Sequence, residues 1–182
     1  MSSIPIGKED EYEPLVMGIW KNVVASEVFN LWPGGILEGI TDHSALFDDD
    51  PLFELLFEQL EGRTLNRELV IGTSDMNTGL YKSFEFAPTG KPYEYVHVET
   101  AVASSAMPGI FEYISRDGMT LLDGGITWRT DSYTAIDYCR DNGYADSDII
   151  IDWIQCGHAQ LGEPGDISQW HTWSHGMRAL AI

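Results

Sequence analysis

Residues 119–128 read MTLLDGGITW, an apolar run that ends on an acidic residue followed by two glycines. Met119 to Leu122 fits a short strand, and Asp123-Gly124-Gly125 breaks it abruptly. Active sites of open α/β sheets lie outside the carboxyl ends of strands, so Asp123 is the first candidate for chemistry. Glycine after the acid permits a tight turn with positive φ and leaves no Cβ to block a substrate or a partner side chain. The same three residues would also serve as an ordinary turn, since Asp-Gly turns are common.

The rest of the chain alternates strand-like and helix-like segments. Asp50-Pro51 gives an N-cap and first-turn proline, Leu52, Leu55, Leu56 and Leu60 follow at helical spacing, and Gly62 supplies a stop, which predicts a helix over 51–61. Residues 68–73 (ELVIGT), 80–86 and 93–98 read as strands, with Asp75, Asn77 and Gly79 as turn residues between the first two. Residues 99–107 (ETAVASSAM) are small and helix-compatible, and Pro108-Gly109 closes them. A second helix is expected over 132–140 with Tyr133, Ile136 and Cys139 inward. The run DIIIDWIQ (148–155) has the character of a strand buried on both faces. This order predicts an α/β sandwich with a partly parallel sheet, in which strand 148–155 lies beside the Asp123 strand and helix 132–140 is the crossover.

Composition narrows the classes of function. A chain of 182 residues with 43% apolar content and 12% aromatics can bury the core of one domain. Ten basic against 29 acidic residues give a formal charge of -19, which repels nucleic-acid phosphates and anionic lipid headgroups. Nucleic acid is therefore excluded as an expected partner. Cys139 and Cys156 lack metal-ligand spacing, so neither a disulfide scaffold nor a zinc site is indicated. No signal-peptide pattern is visible over Met1 to Asp10, and no run reaches the roughly 18 apolar residues of a membrane span. Apolar segments at 15–32 and 170–182 make both ends read as those of an excerpt from a longer domain.

Several segments in fixed order carry a resemblance. SALFDDDPLFELL (44–56), IGTSDMNTG (71–79), AVASSAMPGIF (101–111), LLDGGITWRTDSYTAID (121–137) and DIIIDWI (148–154) together resemble the C-terminal part of the patatin-like phospholipase domain. The resemblance covers about residues 30–155, so residues 1–182 are identified as a partial patatin-like domain. It implies a three-layer α/β/α sheet, incomplete at the N-terminal side. It also implies hydrolysis of lipid acyl esters, of the phospholipase A or acylglycerol lipase type, by a Ser-Asp dyad without cofactor or metal. In that scheme Asp123 is the general base, and Gly124 and Gly125 support it.

The nucleophile has no counterpart. The family's serine stands in a G-x-S-x-G elbow, with a glycine-rich loop supplying oxyanion donors. The nearest approximations here are GTSDM (72–76) and TWSHG (172–176), and neither completes the motif. Ser104 and Ser105 match positions that read as structural. Arg129 stands where the family commonly has Asn after Asp-Gly-Gly. The chain alone is therefore expected to be inactive, and the alternative is a noncatalytic member acting as a lipid-binding or interaction domain. Without its elbow, Asp123 should sit at an open, wet hollow, and the incomplete sheet should favour self-association. Peripheral contact with lipid surfaces is a further expectation, and cytoplasmic or peripheral-membrane placement is favoured over others.

Among other residues, His171 and His175 have the i, i+4 spacing of a metal pair but no third ligand in register. His97 and His158 read as ordinary strand or loop residues. The six Trp are dispersed, which argues for core packing. Trp32-Pro33-Gly34-Gly35 reads as a structural turn.

Overall fold

The computed structural model describes residues 2–128 and 130–152. Its elements are α1 (Tyr12–Trp20), α2 (Gly35–Thr41), α3 (Asp50–Leu60), β1 (Leu69–Asp75), β2 (Leu80–Phe86), α4 (Tyr95–Ser105), β3 (Ile114–Arg116), β4 (Met119–Asp123) and α5 (Ser132–Asp141). The four strands form one sheet in the order β2-β1-β4-β3, with every pairing antiparallel. The fold is mixed α/β.

Two tight hairpins account for the antiparallel pairing of β1 with β2 and of β3 with β4. Between β1 and β2, Asp75 accepts from the Asn77 N–H at 3.1 Å and the Thr78 hydroxyl at 2.7 Å, and Gly79 takes φ +69° to close the turn. Between β3 and β4, Asp117 and Gly118 both have positive φ, 52° and 78°, as a two-residue hairpin turn requires. Asp75 also accepts from the Thr120 N–H at 3.2 Å, so one buried carboxylate pins both turns. The Thr78 hydroxyl foremost, and then the two backbone donors, hold the Asp75 carboxyl below its ordinary range despite burial.

β1 pairs with β2 over all seven residues but with β4 only from Thr73 to Asp75. The two neighbours of β4 are β1 and β3. Among the described residues, 148–152 of the expected parallel strand are thus not beside β4. Residues Asp146–Asp148 form a single 3-10 turn, 149–152 belong to no strand, and 153–155 lie outside the described residues. Asp148 and the isoleucines are a poor core strand where they stand, since Ile150 is 88% exposed.

The core lies where α4 packs across β1 and β4. Val98, Val102, Ala103 and Ala106 are buried on the α4 side, and Leu121 and Leu122 are buried on opposite faces of β4, one of them toward α4. Full burial of Leu121 or Val98 is worth about 1.5–3 kcal/mol each. This helix corrects the expected strand at 93–98. The alternation of Tyr93, Tyr95 and His97 has strand period, but Val98 and Val102 repeat at i, i+4, and burial of that pair decides for helix. The His97 ring nitrogen Nδ1 accepts the Glu94 N–H at 2.8 Å and caps its first turn. α3 forms as expected within a residue, with Leu52, Leu55, Leu56 and Leu60 half-buried and Gly62 at φ +70° beyond its end. The cap itself differs: the Asp48 carboxylate accepts the Asp50 N–H at 3.0 Å.

In α5, Ile136 and Cys139 are half-buried, but Tyr133 is exposed, contrary to its expected inward placement. The Trp residues are not all core either. Trp32 is half-buried, stacked on His43 at 3.5 Å and bonded to the Ala45 carbonyl, whereas Trp20 is largely exposed. Trp153, Trp170 and Trp173 lie outside the described residues, as do Arg129, Cys156, His158, TWSHG and the His171–His175 pair. No helix among the described residues is long and apolar enough to cross a membrane.

Candidate functional site

Asp123 ends β4, and its backbone is fixed from two sides. Its N–H donates to the Ala106 carbonyl at the end of α4 at 2.9 Å, and its carbonyl accepts from the Ser74 hydroxyl at 2.9 Å. Ser74 is buried on β1 and also contacts the Thr127 hydroxyl, so it ties both ends of the loop that follows Asp123. The chain then makes a 3-10 turn over Gly124–Ile126, closed by Gly124 carbonyl bonds to the N–H groups of Thr127 and Trp128.

The two glycines are needed for a reason other than the one their position suggests. Neither has positive φ. A Cβ on Gly124 would stand 2.5 Å from the Gly72 carbonyl oxygen and 2.8 Å from its carbon, so the absence of a side chain lets the turn press onto β1 backbone. Gly125 donates its N–H to Asp123 Oδ1 at 2.7 Å and so orients the carboxylate. Asp123 Oδ2 has no hydrogen bond among the described residues and is the oxygen left for chemistry.

That carboxylate opens on a hollow of about 310 Å³, lined by Gly72, Tyr81, Ser104, Trp128 and Asp131 among others. An open hollow at Asp123 agrees with expectation. Gly72 is again the residue that makes room: the Tyr81 ring crosses it so closely that a Cβ there would meet the phenol oxygen at 1.7 Å. The Tyr81 ring meets Trp128 edge-on with centroids 5.5 Å apart, and Trp128 in turn contacts Tyr133 at 5.6 Å.

Asp131, not anticipated as part of the site, supplies a second carboxylate. It caps α5 by accepting from the Thr134 N–H at 3.0 Å and the Thr134 hydroxyl at 2.7 Å, and it accepts from Ser83 on β2 at 2.7 Å. Burial works to raise its carboxyl, but the bonds from Thr134 and Ser83 outweigh it and hold the group below its ordinary value. Burial, reinforced by the Asp131 charge, pushes the Tyr81 phenol up. The signal for Asp131 was present, since an Asp immediately before a helix, followed by a hydroxyl residue in the first turn, is an N-cap pattern.

The serines separate by geometry. Ser104 reaches the hollow from α4, yet its hydroxyl donates to the Gly72 carbonyl at 2.6 Å, and no hydrogen bond joins it to Asp123. Ser105 is turned to its own helix, donating to the Val102 carbonyl at 2.9 Å. Ser74, the central serine of GTSDM, is buried and committed to the Asp123 loop. The Gly125 N–H is already engaged by Asp123 and does not offer an oxyanion donor. No group of three or more His, Cys, Asp or Glu suited to a metal occurs among the described residues. No protein-family model matches the chain, and no curated protein matches it.

Proposed function

We propose that this chain is part of a patatin-like lipid acyl hydrolase, in which Asp123 is the general base of a Ser-Asp dyad and the serine comes from a segment upstream of these residues. The observation that carries the reading is the Asp123 carboxylate: it ends a strand and lines an open hollow, one oxygen is oriented by Gly125, and the other has no hydrogen-bond partner among the described residues. A base so placed needs a hydroxyl within about 3 Å, and a serine entering the hollow would have that access. The ordered motifs over about residues 30–155 support the reading, and the finer architecture proposed with it is a three-layer α/β/α sheet completed by the same upstream segment.

The reaction would be attack of the serine oxygen on an acyl carbonyl with its proton passing to Asp123 Oδ2. The ester C–O bond then breaks and the alcohol leaves with that proton. Water, deprotonated by Asp123, cleaves the acyl-enzyme to release the fatty acid and restore the serine. Peripheral contact with a lipid surface and self-association of the isolated chain belong to the same proposal. The second reading is a noncatalytic lipid-binding or interaction domain, favoured by the absence of G-x-S-x-G from the 182 residues. A serine-directed fluorophosphonate probe separates the two. A longer polypeptide that is labelled, with labelling weakened by Asp123→Asn, supports the hydrolase; a longer polypeptide that folds and takes no label supports the binding domain.

A further inference from the structure

We propose that the hollow beside Asp123 binds a small quaternary ammonium cation of the choline type, held by the rings of Trp128 and Tyr81 and by the carboxylates of Asp123 and Asp131. This goes beyond the acyl-hydrolase reading and is tested on the 182 residues alone, where the hollow is open; a serine entering it in a longer polypeptide would compete for the Asp123 carboxylate.

Charge selects the sign of the ligand. Among the described residues lining the hollow, the only charged side chains are Asp123 and Asp131. Two carboxylates across one open cavity, on a chain of formal charge -19, attract a cation and repel an anion.

Hydrogen bonding selects the kind of cation. Asp131 already accepts three hydrogen bonds, from Thr134 twice and from Ser83, so little lone-pair capacity remains for an ammonium N–H or a metal. Its charge remains available. Asp123 Oδ2 is one free oxygen, too few for the three N–H groups of a primary ammonium, whereas a quaternary ammonium has no N–H to satisfy and responds to charge and polarizable surface alone. A hard divalent metal fits less well, since it needs several free oxygens.

The aromatic rings supply the surface. Tyr81 and Trp128 both line the hollow and contact each other edge to face, and Trp128 keeps 41% of its surface exposed, which a tryptophan packed in a core would not. Electron-rich indole and phenol faces next to carboxylates are the elements of an aromatic site for methylated ammonium groups. At about 310 Å³ the hollow admits a trimethylammonium group with part of its chain.

The test is titration of the full chain with choline chloride, read by the indole N–H resonance of Trp128, assigned by its loss in Trp128→Leu. Saturable binding is expected on the order of 1 mM. The uncharged isostere 3,3-dimethylbutanol should bind the unaltered chain at least about 10-fold more weakly, and Trp128→Leu, followed by the remaining indoles, should weaken choline about 5-fold or more. Phosphocholine distinguishes the sources: equal affinity assigns the hollow to a lipid headgroup, and weaker affinity to the free cation. Equal binding of choline and its isostere would overturn the proposal, as would no saturable shift. Where Trp128→Leu fails to fold, Trp128→Phe assigns the resonance, and the isostere comparison on the unaltered chain can be read from any indole N–H that shifts saturably.

Discussion

Gly124 rests on Gly72. The turn after Asp123 and the middle of β1 approach until a Cβ on Gly124 would lie 2.5 Å from the Gly72 carbonyl oxygen. That contact sets the height of the Asp123 carboxylate above the sheet, and the obstacle is backbone, which cannot turn aside.

Gly124→Ala should therefore destabilise the chain by about 2–3 kcal/mol, the cost of forcing a methyl into packed structure. At Gly125 the added methyl would meet only the end of the Asp123 side chain, at 3.1 Å, so Gly125→Ala should cost under about 1 kcal/mol. Urea denaturation of the two variants checks this, and equal losses would contradict the assignment of Gly124 as the packing glycine.

Ser74→Ala removes the buried hydroxyl that joins the Asp123 carbonyl to Thr127. The Asp123 carbonyl loses this donor and the Thr127 hydroxyl loses a partner where water is excluded, and a loss of about 1–3 kcal/mol is expected. Ser105→Ala, on an exposed hydroxyl bonded within its own helix, should change stability by less than about 0.5 kcal/mol. The same denaturation measurement separates them.

Asp49 gives the chain a pH dependence of definite sign. Burial raises its carboxyl to about 6, the charges of Glu112 and Asp48 add to the shift, and backbone N–H groups of Asp49 and Glu112 oppose it. The folded value exceeds the unfolded one, so the unfolded chain loses this proton first as pH rises. Its stabilising contribution is complete below about pH 4 and is lost as pH climbs through about 6, with an upper bound of about 3 kcal/mol. Asp49→Asn should flatten the fall in stability between pH 4 and 7 and leave the variant more stable than the parent at pH 7. A slope unchanged by the substitution would contradict the burial of this carboxyl.

The sequence exposes some elements of the fold better than others, for physical reasons. α3 is legible because proline and leucine spacing agree on one helix, and β1 and β2 because their turn residues, Asp75, Asn77 and Gly79, have a defined chemistry. β3 is easily missed at three residues, although Asp117-Gly118 between Arg116 and Met119 is a strong hairpin signal. That hairpin, once overlooked, leaves room to imagine a parallel neighbour for β4. The start of α4 misleads because aromatic alternation mimics a strand while the decisive fact, burial of Val98 and Val102 on the sheet, is tertiary. At the site, Asp123 can be read from its strand-end position, but Tyr81 and Ser104 arrive from β2 and α4, and only folding brings them to it. Asp131 carried a local capping signal whose meaning for the hollow depends on Ser83, 48 residues away.

The central claim, that Asp123 is a base waiting for a nucleophile, is tested most directly by hydrolysis of a short p-nitrophenyl ester. The 182-residue chain should show no turnover that Asp123→Asn removes, because Ser74, Ser104 and Ser105 are all bonded elsewhere. A longer polypeptide that supplies an upstream G-x-S-x-G should hydrolyse the ester, and Asp123→Asn should lower its rate by about 10³-fold or more. Asp123-dependent turnover by the 182 residues alone, or full activity of the longer polypeptide without Asp123, would contradict the account.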